Sequence, residues 1–199
     1  MESQSMNDGP STSEVLPRSE RSMLCIMTTS TKRWAIVVGD CLLRRTVDPQ
    51  TDLPLREACC MPGAWVKDIT RKLPRLIWPS DYYPLLLFHV GGNEATTHSP
   101  RVIKRDFRAL GWWVRESAAQ VIFSSILPVA GSDIGRNRWA QSNNTWLHGW
   151  CGHHSFVFFD NGVAYTAPGL LMSDVVQLSQ TGKRVFAHKL VGLIDRALN

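Results

Sequence analysis

The chain has 199 residues, 44% of them hydrophobic and 20% charged, which is enough to build one domain around a buried core. Its 22 basic and 17 acidic residues give a formal charge of +5, which is compatible with an anionic partner but does not require one. No apolar run approaches the ~20 residues that a membrane-spanning helix needs. The N-terminus also lacks the basic start and apolar core of a secretory signal, which favours a cytoplasmic location, with the nucleus as the alternative.

The first segment, residues 1–31, is polar and has no sustained apolar periodicity, which predicts a disordered leader ahead of a single domain at 32–199. Short apolar runs in that domain predict buried strands at 34–38, 59–61, 84–90, 120–126 and 155–159. Apolar residues at helical spacing predict helices at 64–78, 99–117, 137–150 and 182–198. Pro74 is expected to bend or end the first of these helices.

Strands that alternate with amphipathic helices predict an α/β protein, with a parallel sheet covered on both faces. Ligands of such sheets bind at the carboxyl ends of the strands. The strings Gly39-Asp40-Cys41 and Gly91-Gly92-Asn93-Glu94 each follow a predicted strand, so both should lie at that edge.

The five cysteines form an odd set without framework spacing, which indicates reduced thiols. A zinc site built from Cys151, His153 and His154 would lack a second pair of ligands at the usual spacing. We therefore expect no metal and no cofactor.

Four short blocks, taken in chain order, resemble those of the SGNH (GDSL) hydrolases, whose first block is Gly-Asp-Ser. They are Gly39-Asp40-Cys41, the glycine Gly63, Gly91-Gly92-Asn93-Glu94 and Asp174-Val175-Val176-Gln177. The resemblance implies a three-layer α/β/α flavodoxin-like fold with a parallel sheet, and carboxyl-ester or lipid substrates.

Longer strings resemble one branch, the esterase-like domain in the first open reading frame of chicken-repeat-type non-LTR (LINE) retrotransposons. The similar stretches are residues 62–64, 71–74, 79–86, 103–111, 165–170 and 178–184. This likeness implies that the chain derives from a retroelement.

The family mechanism assigns roles by position. Cys41 stands at the serine nucleophile, Asp174 at the triad aspartate and Gln177 at the histidine. The oxyanion hole would consist of the Cys41 N–H, the Gly63 N–H and the Asn93 amide. A thiol can still attack a carbonyl, but a carboxamide cannot accept a proton, so the general base is missing.

Two interpretations of these departures stay open. One is a residual hydrolase that uses Cys41. The other is an inactive module that binds RNA, a membrane or a protein partner, or that has no retained role. Cys41 could equally be a small buried residue at a strand end, and Asp40 a turn residue. His89 is the nearest histidine to the blocks, but strand alternation gives it an even chance of facing away from them.

Arg101, Lys104, Arg105 and Arg108 form a basic stripe along one predicted helix. Such a stripe is commonly a solvated helix face, and the alternative is a phosphate-contacting surface for RNA. Most of the eight tryptophans are expected to pack in the core, with a minority available to stack on bases. The sequence carries no signal for an oligomeric state.

Overall fold

The computed structural model describes residues 24–25, 35–40, 55–76, 85–96, 98–128, 134–161, 169–172 and 178–198. The strands in chain order are β1 (Leu24–Cys25), β2 (Ala35–Gly39), β3 (Leu55–Cys60), β4 (Leu85–His89), β5 (Gln120–Ser124) and β6 (Val157–Phe159). The helices are α1 (Val66–Leu76), α2 (Pro100–Val114), α3 (Ile134–His153) and α4 (Gln180–Leu198), with a 3₁₀ turn at Asn93–Thr96.

These strands form one sheet in the order β1-β3-β2-β4-β5-β6. The last five positions in that order are parallel, and β1 pairs with β3 in the antiparallel sense. The chain runs from β2 outward to β3 and then returns to the other side of β2 to form β4. The order therefore reverses between β2 and β4, which is where parallel sheets of this kind bind their ligands.

The sheet is buried on both faces because its central strands are apolar at nearly every position. On β4, Leu86 and Phe88 pack beneath α1, α2 and α3, whereas Leu85 and Leu87 pack beneath α4. Helix α4 covers its face with Phe186, Leu190 and Ile194, which recur at helical spacing. The predicted two-sided α/β architecture is thus observed.

Several element boundaries differ from the sequence-based expectation. Helix α3 is longer at both ends than 137–150, and β3 begins at Leu55 rather than at residue 59. Helix α1 continues to Leu76, so it does not end at Pro74; the proline lies on the exposed side of the last turn and removes only one backbone N–H there. Strand β1 falls within the segment that the composition predicts to be a leader.

In the part of the chain that the structure describes, no helix is both long enough and apolar enough to cross a membrane.

Candidate active site

The centre of the site is the pair of adjacent strand ends β2 and β4. Their register places Gly39 directly opposite His89. The segments that follow, beginning with Asp40 on one strand and Val90 on the other, therefore leave the sheet side by side at the point where the strand order reverses.

The turn after β2 is held by β3. The Met61 amide donates to the Gly39 carbonyl at 2.8 Å, and the Cys60 thiol donates to the Asp40 carbonyl at 3.1 Å. Asp40 itself is only 3% exposed. A methyl group added at Gly92 would lie 3.4 Å from its Oδ2 atom, which is an ordinary van der Waals contact, so the Gly92 loop borders the Asp40 carboxyl.

Asn93 links the second and third sequence blocks. Its Nδ2 atom donates to the Ala64 carbonyl at 2.9 Å, immediately after Gly63. This bond uses one of the two N–H groups of the amide. Asn93 and Gly63, the two oxyanion donors that were proposed from different parts of the sequence, therefore lie on loops that are bonded to each other.

Gly91 shapes the loop that carries Asn93. Its φ of +105° lies in a region that residues with side chains rarely adopt. A Cβ atom there would also lie 3.0 Å from Ile126 Cγ1 and 3.4 Å from Ile103 Cδ1. Glycine at this position thus lets the loop lie directly on the core.

Glu94 anchors the start of α1 from the same loop. Its Oε1 atom accepts from the Val66 amide at 2.5 Å, and Asp68 accepts from the Trp65 amide at 3.1 Å, so two amides at the start of the helix gain carboxylate partners. Glu94 is fully buried, and among the described residues its Oε2 atom has no hydrogen-bond partner. Burial raises the pKa of Glu94 to about 7. Hydrogen bonds from backbone amides oppose this shift, and the negative charges of Asp40 and Asp106 add to it.

His89 is the residue whose placement the sequence could not decide. It faces α4, where its ring lies 4.8 Å from that of Phe186, and its Nδ1 is 3.0 Å from Ser124 Oγ. The Ser124 hydroxyl accepts from the side-chain Nδ2 of Asn161 at 3.0 Å, and Ser125 Oγ accepts from the backbone N–H of Asn161 at 2.8 Å. Burial lowers the pKa of His89, and the negative charge of Asp40 raises it by a smaller amount. The imidazole therefore stays neutral near pH 7.

Ser124 Oγ is the centre of this arrangement: it accepts from Asn161 Nδ2, and its own proton can be donated to His89 Nδ1 at 3.0 Å or to the Ser125 carbonyl at 3.4 Å. Which nitrogen of His89 carries the proton depends on the direction of the Ser124–His89 bond. No short sequence motif signals this network; only the spacing of buried polar residues at the ends of β4, β5 and β6 could have suggested it.

Three proposed catalytic positions, Cys41, Asp174 and Gln177, lie outside the described residues, so their convergence stays a prediction. Cys151, considered above as a zinc ligand, lies on the inner face of α3 and is buried in the core. Burial raises the pKa of its thiol to about 12, which makes it a poor metal ligand and a poor nucleophile.

The predicted basic stripe lies on α2. Arg101, Arg105 and Arg108 are exposed there and Lys104 is half-buried. Lys104 Nζ and Arg108 Cζ lie 5.5 and 5.2 Å from the centre of the Trp146 ring on α3. Arg105 donates to the buried carboxylate of Asp106 at 2.9 Å, so part of its charge is compensated.

Comparisons with solved structures identify the fold. A candidate acylhydrolase from Bacteroides fragilis aligns with a TM-score of 0.72 at 12% identity, covering 87% of this chain and 91% of that one. A GDSL-like lipase from Bacteroides thetaiotaomicron aligns with a TM-score of 0.69 at 14% identity, covering 83% and 89%. The esterase domain of the ZfL2-1 ORF1 protein from a zebrafish retrotransposon is 26% identical over 81% of this chain and 98% of its own, with a TM-score of 0.45.

No family model matches the chain, and no curated protein sequence matches it. The likeness to the two Bacteroides structures confirms the predicted fold class.

Proposed function

We propose that this chain, which has the fold of the SGNH (GDSL) hydrolases, is an esterase module of retrotransposon origin with little or no hydrolytic activity. The retroelement origin is supported by the long sequence strings described above, from residues 62–64 to 178–184. The weak activity follows from two substitutions, Cys41 for serine and Gln177 for histidine.

The bond between Asn93 Nδ2 and the Ala64 carbonyl is the observation that carries the ester-binding part of the proposal. It supports an oxyanion hole formed by the Asn93 amide, the Gly63 N–H and the Cys41 N–H. Donors placed where negative charge develops remain useful whichever atom attacks. The module would therefore still polarise an ester carbonyl.

Proton transfer is the step that would fail. The Cys41 thiolate would add to the ester carbon, and collapse of the oxyanion would release the alcohol and leave a thioester that water hydrolyses. In the family, the histidine takes the nucleophile's proton, gives it to the leaving alcohol and then activates that water. Gln177 can do none of these, and at neutral pH a thiol of ordinary pKa is only a few per cent ionised.

The test is hydrolysis of p-nitrophenyl acetate by the whole chain. We expect the wild-type rate to lie near the buffer rate, and we expect Gln177→His to raise it by about 100-fold or more, since a positioned general base contributes at least that much. The gain should vanish in the double variant with Cys41→Ala. Cys151→Ala is the matched thiol control, because that sulfur is buried in the core.

Two results would oppose this proposal. Fast wild-type turnover that disappears in Cys41→Ala would identify an active thiol esterase. An unchanged rate in Gln177→His would mean that residue 177 does not occupy the histidine position.

A second candidate function, RNA binding, is favoured by the surface of α2. One stripe along this helix carries Arg101, Lys104, Arg105, Arg108 and, at its C-terminal end, Trp112. Trp112 is 64% exposed, which is unusual for a side chain of that size. Cations beside an exposed aromatic ring suit a single strand, whose phosphates they would contact while a base stacks on the ring.

If this stripe contacts phosphates, single-stranded RNA should bind more weakly as the salt concentration rises, and the size of this effect should depend on the charges of the stripe. We expect the double reversal Arg101→Glu, Arg108→Glu to weaken binding and to reduce the slope of log K against log salt by about 0.7 for each phosphate that is no longer neutralised. Trp112→Ala should weaken binding by about 1–3 kcal/mol. Arg184→Glu, an exposed reversal on α4, is the control; because it changes the net charge by half as much as the double variant, half of the double variant's loss in log K there would mean that only net charge matters.

A further inference from the structure

We infer that a groove beside α3 binds a neutral, hydroxyl-rich group such as a sugar or polyol. The groove lies between the segment that follows β5, one side of α3 and β6, and it has a volume of about 650 Å³. That volume falls within the ~300–1,000 Å³ of typical small-molecule sites. We call it the α3 groove.

Paired contacts hold the walls of the α3 groove in place. Asn144 Nδ2 donates to the Ile126 carbonyl at 2.8 Å, and the Ile126 amide donates back to Asn144 Oδ1 at 2.8 Å. Further along α3, the His148 ring packs edge-on against Phe158 of β6, with 5.2 Å between ring centres. The Ser125 amide also donates to the Phe159 carbonyl at 2.9 Å, which ties the end of β5 to β6.

The groove borders the loop that carries the proposed oxyanion donor. Ile126, in its floor, packs so closely on Gly91 that an added Cβ would lie 3.0 Å from the isoleucine side chain. Arg136, the residue before the groove-lining Asn137, donates to the Gly92 carbonyl at 3.0 Å. The groove is therefore separated by one side chain, that of Ile126, from Gly91, which lies on the loop that carries Asn93.

The chemistry of the lining selects the class of ligand. The α3 side of the groove is lined by the amide side chains of Asn137 and Gln141 and by the Thr145 hydroxyl. Asp160 lines the opposite side of the groove. Of the described residues that line the groove, none is lysine or arginine, which disfavours a phosphate ligand, and the polar wall disfavours a long acyl chain. A half-buried aromatic ring, Phe158, beside amide and carboxylate groups suits the apolar C–H face and the hydroxyl edge of a sugar.

This inference deepens the proposed function, because the sugar or polyol would be the alcohol part of the ester. It can nevertheless be tested without any hydrolysis. Maltotriose, octanoate and glucose 6-phosphate are titrated separately into the whole protein, and binding is followed by amide chemical shifts. We expect maltotriose to bind with a Kd of about 1–10 mM and to shift the amides of the groove, and we expect the other two probes to bind no better than they bind elsewhere on the surface.

The variants Gln141→Ala and Thr145→Val should each weaken maltotriose binding by about 3- to 10-fold, the equivalent of one neutral hydrogen bond. Ser142→Ala, an exposed change on the same helix outside the groove, should leave the Kd within about twofold. Both groove residues are exposed, so neither variant should unfold the protein.

The inference is overturned if maltotriose does not bind, if octanoate or glucose 6-phosphate binds better in the groove, or if the groove variants and Ser142→Ala behave alike. These results are separable from failure of the proposed function. Maltotriose binding without hydrolysis of acetylated maltotriose leaves the groove assignment intact, whereas the expected gain of p-nitrophenyl acetate hydrolysis in Gln177→His, seen without maltotriose binding, refutes only the groove assignment.

Discussion

Glu94 is a carboxyl group that the fold buries completely, with one oxygen bonded to the α1 amide of Val66 and no described partner for the other. The SGNH block that it resembles ends in aspartate, which is shorter by one methylene. A buried carboxylate that lacks a full set of partners is costly, so the proton is retained to a higher pH. The pKa rises from 4.5 to about 7 in the folded chain.

The consequence is a loss of stability as pH rises. Between the unfolded pKa near 4.5 and the folded pKa of about 7, the folded state binds more protons, so the free energy of unfolding falls with increasing pH. Glu94→Gln keeps the acceptor for Val66 and cannot ionise. We expect this variant to be more stable than wild type at pH 8, by up to about 3 kcal/mol, with little difference at pH 4.5.

Urea denaturation at both pH values measures this effect. The difference between variant and wild type is the quantity to compare, because the titration of His89 and other groups then cancels. Glu116→Gln, the same change at an exposed position, is the control. A Glu94→Gln variant that is equally destabilised at both pH values would show that Glu94 is ionised throughout.

Individual residues differ in how far the sequence could place them. Gly63 and Asn93 were paired through the resemblance of two blocks 30 positions apart, and the fold does bond their loops together. His89 could not be placed from the sequence, because a strand that is apolar up to its last residue does not reveal which face each residue occupies. Its orientation depends on contacts with Ser124 and Phe186, which are distant in sequence.

At the scale of elements, the start of α4 is held by hydrogen bonds to the segment 169–172. The Ser179 amide donates to the Leu170 carbonyl at 2.9 Å, and the Ser179 hydroxyl donates to the Gly169 carbonyl at 2.6 Å. The same hydroxyl accepts from the Gly182 amide at 3.0 Å, as an N-cap does. Helix α4 is therefore fixed to the segment 169–172 just after positions 174–177, where the catalytic pair was proposed.

Two glycines of α4 give a matched test of this contact between the start of α4 and the segment 169–172. A Cβ atom at Gly182 would lie 2.0 Å from the Leu170 carbonyl oxygen, whereas at Gly192 it would meet only the flexible end of Arg196, at 3.4 Å. We expect Gly182→Ala to lower the free energy of unfolding by about 1–3 kcal/mol. Gly192→Ala should raise it by about 0.5–1 kcal/mol, because alanine favours a helix.

Denaturant unfolding of the two variants checks both signs. Stabilisation by both substitutions would mean that the start of α4 moves freely away from Leu170.

The sequence predicted best those elements in which the pattern of apolar residues within the element itself shows which positions are buried. Strand β4 and helices α1 and α2 have strong apolar patterns, and their predicted ranges differ from the observed ones by only a few residues at the ends. Helix α3 was predicted too short because its buried positions, Ala140, Asn143, Leu147 and Cys151, include a polar residue and few large apolar ones. Strand β1 was missed because two residues carry no periodicity.

At the scale of the whole molecule, the topology brings distant loops to one edge of the sheet. The reversal of strand order between β2 and β4 creates a crevice, and hydrogen bonds then join Gly39 to Met61, Asn93 to Ala64 and Glu94 to Val66 around it. Fold class followed from the sequence because it depends on the alternation of strands and helices. The α3 groove did not, because its lining combines the end of β5, one face of α3 and β6.

Strand β1 also bears on the edges of the sheet. It pairs Leu24 with Cys60 and Cys25 with Cys59, and so covers the last two residues of the outer edge of β3. An uncovered edge of a parallel sheet is a template on which another chain can add a strand. Among the described strands, β6 lies at the opposite edge of the sheet, and it has only three residues, which offer little backbone for such pairing. A chain trimmed to begin at Lys32, as the predicted domain boundary would suggest, would expose the longer of the two edges to intermolecular strand addition and hence to aggregation.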